Sequence, residues 1–129
     1  MDKKYITLFK EIARTTSVLA EQVMEYNKKN NDESGDAAAE LMRDDFSKLY
    51  DRMVDENFAA KDLTIDDYRK LLVATLIVTN NINNKIIEQQ KAIQNYNLTI
   101  IPRLQRIVDE CKTQEEVNKL SSELFILDT

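Results

Sequence analysis

The chain has 129 residues, a net charge of −5 and a pI near 4.8. That is enough for one domain, and the acidity disfavours a nucleic-acid partner because an acidic field repels phosphate backbones. Apolar residues make up 43% and charged residues 32%, with one Gly and one Pro, so disorder and sheet are excluded and long helices are favoured.

The charge is uneven. Residues 1–30 carry +2, residues 31–67 carry −8 and residues 68–129 carry +1. An acidic stretch of this kind is a solvated face or a docking surface for a basic partner. Charged residues interrupt the N-terminus before an apolar core of a signal peptide develops, and no apolar run approaches a bilayer span. A cytoplasmic protein with no membrane partner is the expectation.

The first helix is expected from about Lys3 to Asn30. Tyr5, Phe9, Ile12, Thr16, Leu19, Val23 and Tyr26 recur in steps of three and four, which makes one apolar stripe. Thr15-Thr16-Ser17 sits mid-helix, where hydroxyls tend to bond back to their own carbonyls. The only glycine, Gly35, is read as the stop after this helix. The second helix begins near Ser34 or Asp36, carries Met42, Phe46, Leu49 and Met53 on one seam, and frays near Asn57.

The third helix has the clearest start. Thr64 caps it, Asp66 and Asp67 lie in its first turn, and Leu63 and Tyr68 stand where a hydrophobic staple closes. From there Leu72, Thr79, Ile86, Ile93, Ile100 and Ile107 keep a strict seven-residue spacing, the mark of a coiled-coil seam. A single helix over about 65–111 is expected, about 70 Å long at 1.5 Å per residue. Pro102 either kinks it or breaks it near Asn95–Leu98, since proline removes a donor and disfavours helix at Ile101. Thr113 and Glu116 form a capping box for the last helix, which carries Val117, Leu120 and Leu124 and ends in the apolar tail Phe125-Ile126-Leu127.

The predicted fold is therefore all-α: a single domain over 1–129, an antiparallel bundle of four to five helices around a long third one. No catalytic chemistry is legible. With no His, the Glu-x-x-His di-metal motif and Ser-His or Cys-His pairs are absent. The acid pairs Asp44-Asp45, Asp66-Asp67, Asp109-Glu110 and Glu115-Glu116 point about 100° apart on a helix and read as capping or surface charge. Cys111 lies beside acids near a helix end, which raises a thiol pKa and argues against a reactive thiolate. Arg103, Arg106 and Lys112 form a local basic cluster, either for an acidic partner or as ordinary helix-end charge. No cofactor, metal site or enzymatic role is expected.

Two features point instead to contact with other helices. Asn80-Asn81-Ile82-Asn83-Asn84 is costly in a helix; it is either a polar layer that sets register or an exposed stretch. The seam at Ile86, Ile93, Ile100 and Ile107 outruns the first two helices, and with Phe125, Ile126 and Leu127 it forms the candidate interface. A second copy is the simplest cover, hence a homodimer. The leading functional expectation is a small cytosolic interaction protein acting by helix–helix contact: an adaptor, regulator or assembly factor. The alternative is an immunity-type or antagonist bundle of bacterial or phage origin that neutralises a toxin or host factor. That reading rests on architecture alone.

Overall fold

The structure, a computed structural model, describes residues 4–32, 34–82 and 86–125. Every regular element among them is helical. The elements are α1 (Lys4–Lys29), α2 (Asp36–Val54), α3 (Ile65–Asn81), α4 (Ile87–Asn95), α5 (Ile101–Glu110) and α6 (Gln114–Phe125). A 3₁₀ turn at Ala60–Asp62 precedes α3, and a π-helical turn at Tyr96–Ile100 joins α4 to α5. Counting the joined pair as one rod gives five helices among the described residues, an all-α bundle as the apolar periodicity predicts.

α1 and α2 form an antiparallel hairpin. Ser17 Oγ donates to Arg43 O at 3.0 Å, and Arg14 lies over the Tyr50 ring at 5.8 Å. At the turn, Asn27 Nδ2 donates to Asp36 Oδ1 at 2.9 Å. Gly35 is not the stop of α1. That role falls to Asn31, in the left-handed region at φ 53°, with Asp32 N donating to Asn27 O and Asn31 N to Lys28 O. This is a Schellman end with Asn in the place that glycine often takes. Gly35, at φ 85°, instead precedes α2 as its N-cap.

α3 runs parallel to α1, with the Phe9 and Tyr68 rings edge to face at 6.3 Å. Its start is as expected. Thr64 Oγ1 accepts from Asp67 N at 3.1 Å, and Asp67 Oδ2 accepts from Thr64 N at 2.9 Å. Leu63 and Tyr68 are both fully buried in one core.

The continuous helix over 65–111 is not what forms. α3 ends at Asn81, where Ile82 turns extended (φ −76°, ψ 139°), and Ile86 is extended before α4 (φ −96°, ψ 123°). Asn80 and Asn81 are poor helix formers at this end, and Asn81 Nδ2 bonds back to Ile77 O. Of the Asn run, Asn83 and Asn84 lie outside the described residues.

At Pro102 the rod is neither broken nor restarted at Thr99. The turn before it widens to a π turn in which Ile101 N donates to Tyr96 O. A proline ring collides with the carbonyl four residues back and lacks a donor. A wider turn ahead of it is a standard accommodation.

The chain then folds back. α5 packs along α3, and α6 closes over the beginning of α1 and α3. Thr113 Oγ1 accepts from Glu116 N at 3.2 Å, so the cap of α6 forms, and Glu116 Oε1 accepts from Lys112 N at 3.4 Å. Val117, Ser121 and Phe125 are its buried face.

Candidate interaction surface

The α5–α6 unit covers only half of the bundle, and this produces the exposed apolar surface. Along the α1 stripe, burial falls from one end to the other. Phe9, Ile12 and Thr16 are buried, Leu19 is half-buried, Val23 is 50% exposed and Tyr26 is 67% exposed.

At the covered end the packing is aromatic. Phe125 meets Phe9 at 5.2 Å and Tyr5 at 5.0 Å, both edge to face. Arg103 Nη1 donates to Leu124 O at 2.7 Å and to Tyr5 Oη at 3.2 Å, and its guanidinium lies over the Phe125 ring at 5.9 Å. A cation on the last carbonyls of a helix is favourable, and here it also ties α5, α6 and α1 together.

On the neighbouring edge, Arg52 Nη1 bonds to the buried Asp67 Oδ1 at 2.8 Å while its Nη2 bonds to Asp62 O at 3.2 Å. Asp67 therefore serves the cap and the ion pair at once. Gln114 Nε2 adds bonds to Leu63 O at 2.8 Å and to Lys61 O at 3.2 Å, fastening the start of α6 to the α2–α3 connection.

Within this end, among the described residues, lies one unsatisfied group. Tyr68 Oη is fully buried and approaches Ser121 without reaching hydrogen-bond geometry. Burial pushes its pKa up to about 12, with the Asp67 carboxylate and Cys111 adding to it. Cys111 is buried too. Burial first, then Glu116 and Glu110, raises its thiol pKa, the inert setting that its acidic neighbours imply.

At the other end, α1, α2 and the last turns of α3 leave an open groove of about 480 Å³, with Leu19, Val23, Tyr26, Met42 and Ile77 among its lining. Ala38 and Ala39 form its α2 wall, where small side chains let a neighbour approach the backbone. Gln22 and Asn81 stand at its polar edge. Apolar centre and polar edge is the make-up of a protein contact surface. Close by, Glu21, Glu25, Lys28, Asp36 and Arg43 line a second, charged cleft.

The residues expected to form an interface divide three ways. Ile100, Ile107 and Phe125 are fully buried within the chain's own core, so in this fold they offer no contact surface. The reason is that the seam folds back as a hairpin instead of running on as a rod. Ile86 is 47% exposed and Ile93 half-buried, both on the α4 segment, and no residue of α4 is buried. Ile126 and Leu127 lie outside the described residues. The basic cluster is largely engaged within the chain: Arg103 as above, and Arg106 with Glu110 at 2.7 Å. The groove residues Val23 and Tyr26 read in sequence as ordinary bundle stripe. Only the short reach of α5 and α6 exposes them.

Among the described residues no helix is long and apolar enough to cross a membrane, and no cluster of three or more His, Cys, Asp or Glu could hold a metal ion. No protein-family model, curated protein or solved structure matches the chain.

Proposed function

We propose that this protein is a small helical interaction protein, an adaptor, regulator or assembly factor that works by helix–helix contact in the cytoplasm, and that it forms a homodimer. One observation carries the reading. The covered end is filled by the chain's own aromatic side chains, while the other end keeps an apolar groove, and beside it in sequence a helix with no buried residue.

An amphipathic helix is the natural ligand of such a groove. Its apolar positions at i, i+3, i+4 and i+7 would meet Leu19, Val23, Met42 and Ile77, with Gln22 and Asn81 at the rim. Aromatic anchors carry most of the energy at protein interfaces, which places Tyr26 at the centre of the expected contact.

The test compares two baits of equal stability in the native lysate. Wild type is expected to retain a partner that the Val23→Ser, Tyr26→Ser variant loses. Equal capture by both removes the groove from the account. Light scattering tests the dimer: a 15.0 kDa species at high concentration contradicts it.

A further inference from the structure

The buried face of α6 is a row of residues about one turn apart: Val117, Ser121 and Phe125. Its outer members are apolar and its middle one is a serine. Facing that serine from α3 is Tyr68, whose hydroxyl is buried and has no hydrogen-bond partner. Ser121 Oγ gives its own proton to Asn118 O at 3.3 Å, within α6. The middle of this interface thus holds two dry hydroxyls that do not satisfy each other.

A buried polar group without its hydrogen bond keeps its full desolvation penalty, and water relieves that penalty as soon as the interface parts. The hydroxyl adds nothing to the packing that the ring does not supply. Tyr68 meets Phe9 edge to face at 6.3 Å through its ring alone.

The attachments of α6 stand at its two ends. At the start, Gln114 Nε2 donates to Leu63 O at 2.8 Å and to Lys61 O at 3.2 Å. At the far end, Arg103 Nη1 donates to Leu124 O at 2.7 Å, and Phe125 rests on Phe9 and Tyr5. Between α5 and α6 the backbone leaves the helix. Cys111 is extended at φ −95°, ψ 137°, and Lys112 and Thr113 belong to neither helix.

We infer that α6 is a hinged lid on the closed end. It swings about residues 111–113 and the Gln114 contacts, Arg103 and Phe125 form its latch, and the Tyr68 hydroxyl is the group that favours release. The closed form dominates. Opening hydrates Tyr68 Oη and Ser121 and bares Phe9. The rest of the bundle stays folded, because Ile12, Leu71, Leu104 and Ile107 lie on helices that pack on one another without α6. An undocked helix of 12 residues is marginal in water, so opening also exposes the amides of α6.

Native-state hydrogen exchange of the full chain, followed residue by residue in low denaturant, tests the lid. Val117–Phe125 is expected to exchange as one unit, at least tenfold faster than Leu71–Thr75 and with a weaker denaturant dependence. A rate shared with Leu71–Thr75 overturns the lid, since α6 then leaves only with the whole fold. Rates that rise gradually toward the chain end also overturn it, since they report fraying. Tyr68→Phe is expected to slow exchange in α6 about threefold and to leave Ile87–Asn95 unchanged. Unchanged exchange in α6 overturns the role given to the hydroxyl. Arg103→Gln undoes the latch and is expected to speed exchange in α6 at least about threefold, again with α4 unchanged. Equal acceleration of α4 and α6 overturns the latch.

Discussion

The two ends of this bundle are built from similar amounts of apolar sequence and use it oppositely. Around Phe9, Tyr68 and Phe125 the chain turns back on itself twice, between α2 and α3 and between α5 and α6, and buries these rings. Around Val23, Tyr26 and Ile77 the same helices continue with no third layer above them. The stripe of α1 is equally regular at both ends. Covering, and not hydrophobicity, distinguishes core from surface here, and covering is decided by where later helices end.

The sharpest contrast comes from truncating matched positions. Phe125→Ala is expected to cost about 3–5 kcal/mol, since it opens a cavity against Phe9 and Tyr5 and strips the ring from beneath Arg103. Denaturant unfolding of the purified variant checks it, and a loss below about 1 kcal/mol would show that α6 is not part of the core. Next in size, Asp67→Ala removes the half of the α3 capping box that accepts from Thr64 N and leaves Arg52 without its carboxylate, for about 2–3 kcal/mol. Asp67→Asn should lose less, because an amide oxygen still accepts from Thr64 N.

Tyr68→Phe goes the other way. Its hydroxyl is buried without a partner of proper geometry, so deleting it is expected to leave stability unchanged or raise it by up to about 1 kcal/mol. The same group sets a pH response. Its folded pKa, about 12, lies above that of an exposed tyrosine, so the neutral form is favoured by folding. Stability from this group is full below about pH 10 and declines toward pH 12, by roughly 3 kcal/mol in total. In Tyr68→Phe that part of the alkaline decline should disappear. Smallest of all, Val23→Ser and Tyr26→Ser at the open end are expected to shift stability by no more than about 0.5 kcal/mol each. Partner binding in the same variants should fall at least tenfold.

Much of the fold was legible because its signals are local. Thr64 with Asp67, and Thr113 with Glu116, mark helix starts within four residues, and Met42–Met53 and Val117–Leu124 carry periodicity strong enough to survive context. Pro102 announced a disturbance, although the form it takes, a π turn, depends on neighbours that hold the rod together. The break after Asn81 was written in the Asn run. It was outweighed by a seven-residue register that reports which side chains share a face and says nothing about whether the backbone between them stays helical.

That same register led Ile100 and Ile107 to be expected at an interface, as the apolar tail led Phe125. A seam looks identical in sequence whether it pairs with its own chain or with another. Asn31 ended α1 where glycine was expected because asparagine also tolerates the left-handed region. The open groove had no sequence signal of its own, since Leu19, Val23 and Tyr26 continue the core stripe without change.

The contrast between covered and uncovered helix is tested most directly by native-state hydrogen exchange on the dilute chain. α5, with Leu104 and Ile107 in the core, should exchange at rates set by global unfolding, and α4 should exchange many times faster through local opening. Equal protection of Ile87–Asn95 and Ile101–Glu110 in the monomer would contradict the division of this molecule into a closed end and an open one.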